Sequence, residues 1–131
     1  MYYFYDIWEG NSLTDINKVN SFFSGGWIRL WGGKTTKGKD LKFDENQKIL
    51  KDSKSNYGIY CATTHWLTPQ QNYDKIMAMI PAKDIGNMRF MMDEEIVPPP
   101  EKVGKGSMLA DETYKTFDLI KSTFHGEFCF R

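Results

Sequence analysis

The sequence predicts one α+β domain over residues 1–131, with a mixed or mostly antiparallel sheet of about six strands and two or three helices. A chain of 131 residues has the size of one domain, and its 40% hydrophobic and 15% aromatic residues are sufficient for a core. Short apolar runs bounded by turn residues alternate with a few segments of helical periodicity. The 17 basic and 17 acidic residues cancel, which argues against a strongly basic nucleic-acid binder and against an acidic mimic.

The N-terminal segment predicts a strand followed by a helix. Residues 2–8 are almost wholly apolar or aromatic, which is typical of a strand buried on both faces. Apolar side chains then recur every three or four residues, which predicts a helix over residues 13–23. Ser12 is the expected N-cap, and Gly25 and Gly26 end the helix because glycine accepts a left-handed backbone.

The next segment predicts a short strand, a loop and a central strand. Trp27, Arg29 and Trp31 alternate with apolar residues and are expected on one side of the short strand. Residues 44–56 are polar and lysine-rich, which is typical of a mobile loop. Residues 57–67 are rich in β-branched and aromatic types and predict the central strand.

The second half of the chain predicts three more strands and two more helices. Thr68 and Pro69 resemble a cap and a first helical position, so a short helix is expected over residues 69–74. The sequence KIMAMIP predicts a buried strand that ends at Pro81, and MRFMM predicts another. A helix is expected over residues 111–121, and TFHGEFCFR alternates as a half-exposed edge strand does.

The sequence argues against an exported protein, a membrane-spanning protein, a metal site and a cysteine nucleophile. The N-terminus lacks the basic start and apolar run of a signal peptide, and no apolar window is long enough to span a membrane, so we expect a cytoplasmic location. Cys61 and Cys129 are therefore expected to be reduced, and no metal-binding spacing is present. Cys61 and His65 are separated by about 13 Å of strand, too far for a nucleophile and its base.

An aromatic and basic cluster is the first candidate binding site. It comprises Trp27, Arg29, Trp31 and Lys34, with Lys37 and Lys39 beside them. Trp and Arg are the residue types that most often anchor interfaces. Indole rings also stack on unpaired bases and lysines neutralise phosphates, so single-stranded nucleic acid is a weaker alternative partner. The alternative to both is that the tryptophans pack in the core.

Methionines and acidic residues form two further clusters. Met88, Met91 and Met92 are the second candidate binding set, because flexible thioethers adapt to protein partners, and core filling is the alternative. An acidic run beside three prolines is more typical of a solvated loop than of an acid–base pair, and it comprises Asp93, Glu94, Glu95 and Glu101.

The order of elements resembles that of small ADP-ribosyltransferase-like domains. The similar segments are FYDIWEG, LTDINKVNSFF, YGIYCATTHWL and KIMAMIP, and they span about 90 residues. The resemblance implies an NAD-using transferase in which Tyr60 shapes the pocket and Glu95 or Glu127 activates the acceptor. The first strand has Tyr3, Tyr5 and Asp6 where the family has an Arg or His.

The leading functional hypothesis is a small cytoplasmic binding or inhibitory protein, of the kind that phages and mobile elements encode. It acts by contact with a macromolecular partner, a protein in first place, and uses no cofactor. The NAD-using transferase is the alternative from another class, and single-stranded nucleic-acid binding is the weaker one.

Overall fold

A computed structural model describes residues 3–11, 13–32, 38–62, 67–85, 88–93, 106–124 and 128–130. Strands and helices alternate along these residues, with one short 3₁₀ helix between α3 and β4. The elements are β1 (Phe4–Ile7), α1 (Ile16–Phe22), β2 (Gly25–Trp31), α2 (Phe43–Asp52), β3 (Tyr57–Ala62), α3 (Pro69–Met79), the 3₁₀ helix (Ala82–Asp84), β4 (Phe90–Asp93), α4 (Gly106–Thr123) and β5 (Phe128–Phe130).

The five described strands form one parallel sheet in the order β1-β2-β3-β4-β5. The predicted mixed or mostly antiparallel sheet of about six strands is therefore wrong, although helices and strands are combined as expected. The described part contains four α-helices rather than two or three, and each strand is joined to the next by a helical crossover. The strand order never reverses, as in a (β/α) barrel, so right-handed crossovers bring all the helices to one face.

The main core lies between the sheet and these helices. Ile28, Ile59 and Phe90 are register neighbours on three adjacent strands, and all three are fully buried. The helices α2, α3 and α4 each add at least one fully buried side chain to the same cluster, namely Leu50, Ile76 and Ile120. Burial of each large apolar side chain stabilises the fold by roughly 1.5–3 kcal/mol, so this layer fixes the sheet against its helices.

The lysine-rich segment predicted as a mobile loop is helix α2 in the structure. Its buried residues Phe43, Asn46 and Leu50 are three and four positions apart, which aligns them on one helical face. Asp44 and Glu45 lie in the first turn and Lys51 in the last, which matches the helix dipole. The loop prediction is wrong because half of the residues of this helix are charged and exposed, so the few apolar residues of its buried face do not stand out in the sequence.

The segment predicted as a strand ending at Pro81 is mostly the second half of helix α3. The helix begins with a capping box, in which the Thr68 hydroxyl accepts from the Gln71 amide and the Gln71 side chain accepts from the Thr68 amide. Ile76 and Ile80 are buried one turn apart, so the apolar run has helical rather than strand periodicity.

Other predicted elements are confirmed with shorter or longer bounds. Helix α1 lies within the predicted 13–23, but its cap is Asp15, whose carboxylate accepts from the Lys18 amide. Ser12 lies outside the described residues. Cys61 is free and buried, as expected, and burial raises the pKa of its thiol. Among the described helices, none has the length and apolar character needed to cross a bilayer.

Candidate functional site

A β-bulge in β2 separates two residues that the alternation pattern placed together. Arg29 is the register partner of Tyr60, whereas Trp31 is the partner of Cys61, so the register shifts between Arg29 and Trp31. Trp31 therefore lies in the helix-side core with only 1% of its surface exposed. The prediction that Trp31 shares a binding face with Trp27 and Arg29 is wrong, because the bulge turns its side chain towards the helices.

The face opposite the helices brings together polar side chains from four strands. Asp6 is level with Trp27, Arg29 is level with Tyr60, and Asp93 is at the end of β4. Register partners in a parallel pair point to the same side, so these residues share a face. We call Asp6, Arg29, Tyr60 and Asp93 the carboxyl-end cluster, since they lie in the carboxyl-terminal halves of their strands.

Trp27 lies on the same face as this cluster and crosses the neighbouring strand. A Cβ atom built on Gly58 would be 2.3 Å from the Trp27 ring and 3.0 Å from the Arg89 Cβ. The absence of a side chain at Gly58 therefore makes room for the indole on β3. Trp27 is half-buried, so part of the ring remains available for contact.

Tyr60 is the centre of the carboxyl-end cluster and is only 4% exposed. Burial raises the pKa of its hydroxyl, and the hydrogen bond to Asp6 and the negative charge of Asp6 raise that pKa further. The charge of Arg29 lowers the pKa in part, and Asp93 acts in the same direction as Asp6. The Tyr60 hydroxyl thus stays protonated at neutral pH and donates a hydrogen bond to Asp6 of β1, with the charge of Asp93 from β4 also acting on it.

Arg29 is held by groups at the carboxyl ends of β1 and β2. Its Nε donates to Asp40 Oδ2 over 2.8 Å, and its Nη2 lies 3.5 Å from Glu9 Oε1. The guanidinium carbon also lies 4.9 Å from the centroid of the Trp8 ring, which is a cation–π contact. Arg29 is therefore fixed in place, with 20% of its side chain exposed.

Two of the three methionine candidates are buried. Met91 and Met92 are 3% and 0% exposed, and Met92 belongs to the helix-side core, so the prediction of an accessible patch is wrong for both. Met88 is half-buried and lines a cavity of about 180 Å³ near the amino end of β3, together with Lys51, Tyr57, Lys83 and Asp84. Lys34, Glu95 and Glu127 lie outside the described residues.

Sequence reasoning missed Asp6, Trp8 and Asp40 and grouped Asp93 with a solvated loop. The signal for Asp6 was present, because a lone carboxylate interrupts an otherwise apolar strand. Asp93 follows three buried strand residues and ends β4, so the loop prediction is wrong for Asp93, while Glu94, Glu95 and Glu101 lie outside the described residues. The described residues contain no group of three or more His, Cys, Asp or Glu side chains that could hold a metal ion.

Comparison with known proteins shows a likeness in fold. No protein-family model and no curated protein matches the sequence. Two solved structures of the modular autolysin LytC from Streptococcus pneumoniae match with a TM-score of 0.70, one in complex with a synthetic peptidoglycan ligand and one at 1.6 Å resolution. They are 16% and 18% identical to this chain and cover 95% of it. The chain spans about a third of the autolysin's length, with 32% of that chain covered.

At this level of identity the likeness shows the fold alone. The autolysin structures have the same arrangement of elements over nearly all of this chain, which agrees with the parallel sheet described above. Neither of the two is an ADP-ribosyltransferase, so the resemblance based on element order gains no support from them.

Proposed function

We propose that this protein acts by binding a macromolecular partner, and that the partner is a glycan polymer of the peptidoglycan class. The observation that supports the proposal most directly is the Arg29 guanidinium against the Trp8 ring, because both keep exposed surface, 20% and 43%. Arg29 is also the register partner of Tyr60, whose buried hydroxyl is held by Asp6. A few fixed polar groups that converge near aromatic side chains are what an uncharged, hydroxyl-rich ligand requires.

The position of the cluster in the sheet supports the same proposal. Ligands of parallel α/β sheets bind outside the carboxyl ends of the strands, where side chains from several strands converge. Trp8 contacts Arg29, Trp27 lies two residues before Arg29 on β2, and both indoles are partly exposed and offer apolar surface. The fold is similar to that of an autolysin seen in complex with a peptidoglycan ligand. A peptidoglycan partner implies a location at the cell wall instead of the cytoplasm expected from the sequence.

Co-sedimentation with purified insoluble peptidoglycan tests the proposal. Asp6→Asn removes the charge that holds the Tyr60 hydroxyl, and we expect the loosened cluster to weaken binding by about tenfold, which corresponds to about 1.4 kcal/mol. Asp84→Asn is the matched control, because it makes the same change beside the cavity near the amino end of β3. Failure of the wild-type protein to sediment, or equal binding by the two variants, would contradict the proposal.

Hydrolysis of the same glycan is a second candidate function. Asp6 and Asp93 come from different strands, and both act on the electrostatics of one hydroxyl, that of Tyr60. Most glycoside hydrolases use two carboxyl groups on either side of the scissile bond. The release of reducing sugar from peptidoglycan, abolished separately by Asp6→Asn and by Asp93→Asn, would establish it. Binding without any release would reject it and leave the binding proposal in place.

The other partner classes expected from the sequence have less support in the described residues. The nucleic-acid hypothesis loses Trp31 to the core, and Arg29 and Lys39 are each paired with a carboxylate. Of the residues predicted to bind a protein partner, or to inhibit one in the manner of a phage protein, Trp27, Arg29 and Met88 keep some exposed surface in the described part of the chain. The NAD-using transferase retains Tyr60, and a thermal-shift titration with NAD tests it: a flat curve to millimolar NAD counts against it.

A further inference from the structure

The ring of Trp8 lies on a tight turn directly after β1. The Trp8 amide donates to Asn11 Oδ1 over 2.8 Å, and the Asn11 amide donates to the Trp8 carbonyl over 2.9 Å. A Cβ atom on Gly10 would be 2.4 Å from the indole, so the ring packs directly on that glycine. Trp8 is nevertheless 43% exposed, which leaves part of a large aromatic surface open at the carboxyl end of β1.

The Arg29 guanidinium contacts this ring and is itself fixed by its surroundings. A Cβ atom on Gly32 would lie 3.3 Å from the guanidinium carbon, so the guanidinium packs closely over that glycine. The Asp40 carboxylate accepts three hydrogen bonds, from Arg29 Nε, from the Glu9 amide and from the Lys42 amide. The side chain of Asp40 is 1% exposed, so solvent barely competes for these contacts.

The local charge indicates what kind of ligand this surface accepts. Glu9 and Asp40 both pair with Arg29, so two carboxylates face one guanidinium. An anionic ligand group would be repelled by this excess negative charge, whereas an uncharged ring would not be. An exposed aromatic surface beside fixed polar groups therefore favours stacking of a neutral ring.

We infer that Trp8 is the stacking platform for an uncharged sugar ring and that Asp40 is its positioning residue, acting through Arg29. The identity of the ligand rests on the proposed glycan-binding function, whereas the positioning role of Asp40 does not. Asp40 links the end of β1 to the start of α2, so it sets the plane of the guanidinium and thereby the orientation of the indole against it.

Fluorine NMR of the protein labelled with 5-fluorotryptophan tests the positioning role without any ligand. Trp8→Phe assigns the Trp8 resonance, and Trp31→Phe assigns the resonance of the buried core indole. In Asp40→Asn we expect the Trp8 resonance to move towards that of the free amino acid, while the Trp31 resonance keeps its position and thereby reports an intact fold. Asp52→Asn, which breaks an exposed ion pair with Lys48, is the matched control and leaves both resonances unchanged.

A second variant keeps this test decisive if Asp40→Asn does not fold. Arg29→Lys retains the positive charge but loses the planar guanidinium, so it too should shift the Trp8 resonance. A Trp8 resonance that is unmoved in a folded Asp40→Asn or Arg29→Lys protein overturns the positioning role.

Titration with a soluble oligosaccharide of N-acetylglucosamine tests the stacking role. We expect Trp8→Ala to weaken binding by about tenfold and Asp40→Asn by a smaller factor, with Asp52→Asn binding as the wild type does. The same sugar bearing a carboxylate on the ring should bind more weakly than the neutral one at low salt. Wild-type affinity in Trp8→Ala, or preference for the carboxylate, overturns the stacking role. A wild-type protein that binds no sugar overturns the proposed function and the ligand assignment, while the NMR result still decides the role of Asp40.

Discussion

Adding one methyl group at Gly58 should disturb Trp27 more than any other part of the sheet. A Cβ atom there would lie 2.3 Å from the Trp27 indole, which is over 1 Å closer than an ordinary van der Waals contact. Outside Trp27, the nearest atom would be the Arg89 Cβ at 3.0 Å. Overpacking of this kind costs about 1–3 kcal/mol. We therefore expect Gly58→Ala to lower the free energy of unfolding by about 1–3 kcal/mol and to displace the ring of Trp27 from β3.

A double-mutant cycle, measured by urea unfolding, isolates that contact. In a Trp27→Ala background the clash with the indole is removed, so Gly58→Ala should cost clearly less there, and only the contact with the Arg89 Cβ opposes the gain from a lower entropy of the unfolded chain. The Arg89 contact is present in both backgrounds and cancels. Gly38→Ala is the control at a position with nothing within 4 Å. An equal cost for Gly58→Ala in the two backgrounds would show that Trp27 does not lie over this strand.

Two further predictions concern stability. Trp31→Ala should lower the free energy of unfolding by about 3–5 kcal/mol, because the ring is in the core. Leu41→Ala, at a residue 85% exposed, is the control and should change that free energy by less than about 0.5 kcal/mol. Equal costs for the two variants would contradict the assignment of Trp31 to the core. Burial raises the pKa of Tyr5 to about 12 and also raises that of Tyr60, so the folded state holds these protons more tightly than the unfolded state, whose tyrosines titrate near pH 10. The free energy of unfolding should therefore fall as the pH rises above about 10, by up to about 1.4 kcal/mol per pH unit for each tyrosine. Tyr5→Phe removes one of these groups and should make the fall with pH less steep. The same steepness in Tyr5→Phe and in the wild type would refute the explanation.

The sequence predicts individual elements better than their arrangement. The alternation and spacing of apolar residues locate β1, β3, β4 and α1, because each of these depends on local periodicity. Parallel pairing is a property of the connections, and the sequence predicts a loop in place of α2 and a strand at the end of α3, which hides two of the helical connections. With those two helices in place, each pair of strands is separated by a crossover, and a parallel sheet follows.

The candidate site shows the same limit. Trp27 and Arg29 are identified from their residue types and Tyr60 from the family resemblance, and all three share a face. Trp31 was wrongly added because a one-residue bulge cannot be read from an alternating pattern. Asp40 was missed because its role depends on a contact with a side chain 11 residues away, which no local pattern indicates.

A titration of the isotope-labelled protein with a soluble peptidoglycan fragment, followed by amide NMR, tests the central claim most directly. Binding at the carboxyl-end cluster predicts shifts in the amides of Asp6, Arg29 and Tyr60, with little change at Gly25 and Met88, at the amino ends of β2 and β4. Shifts confined to the amino ends, or no shifts at millimolar fragment, would contradict the assignment of this face as a glycan-binding site.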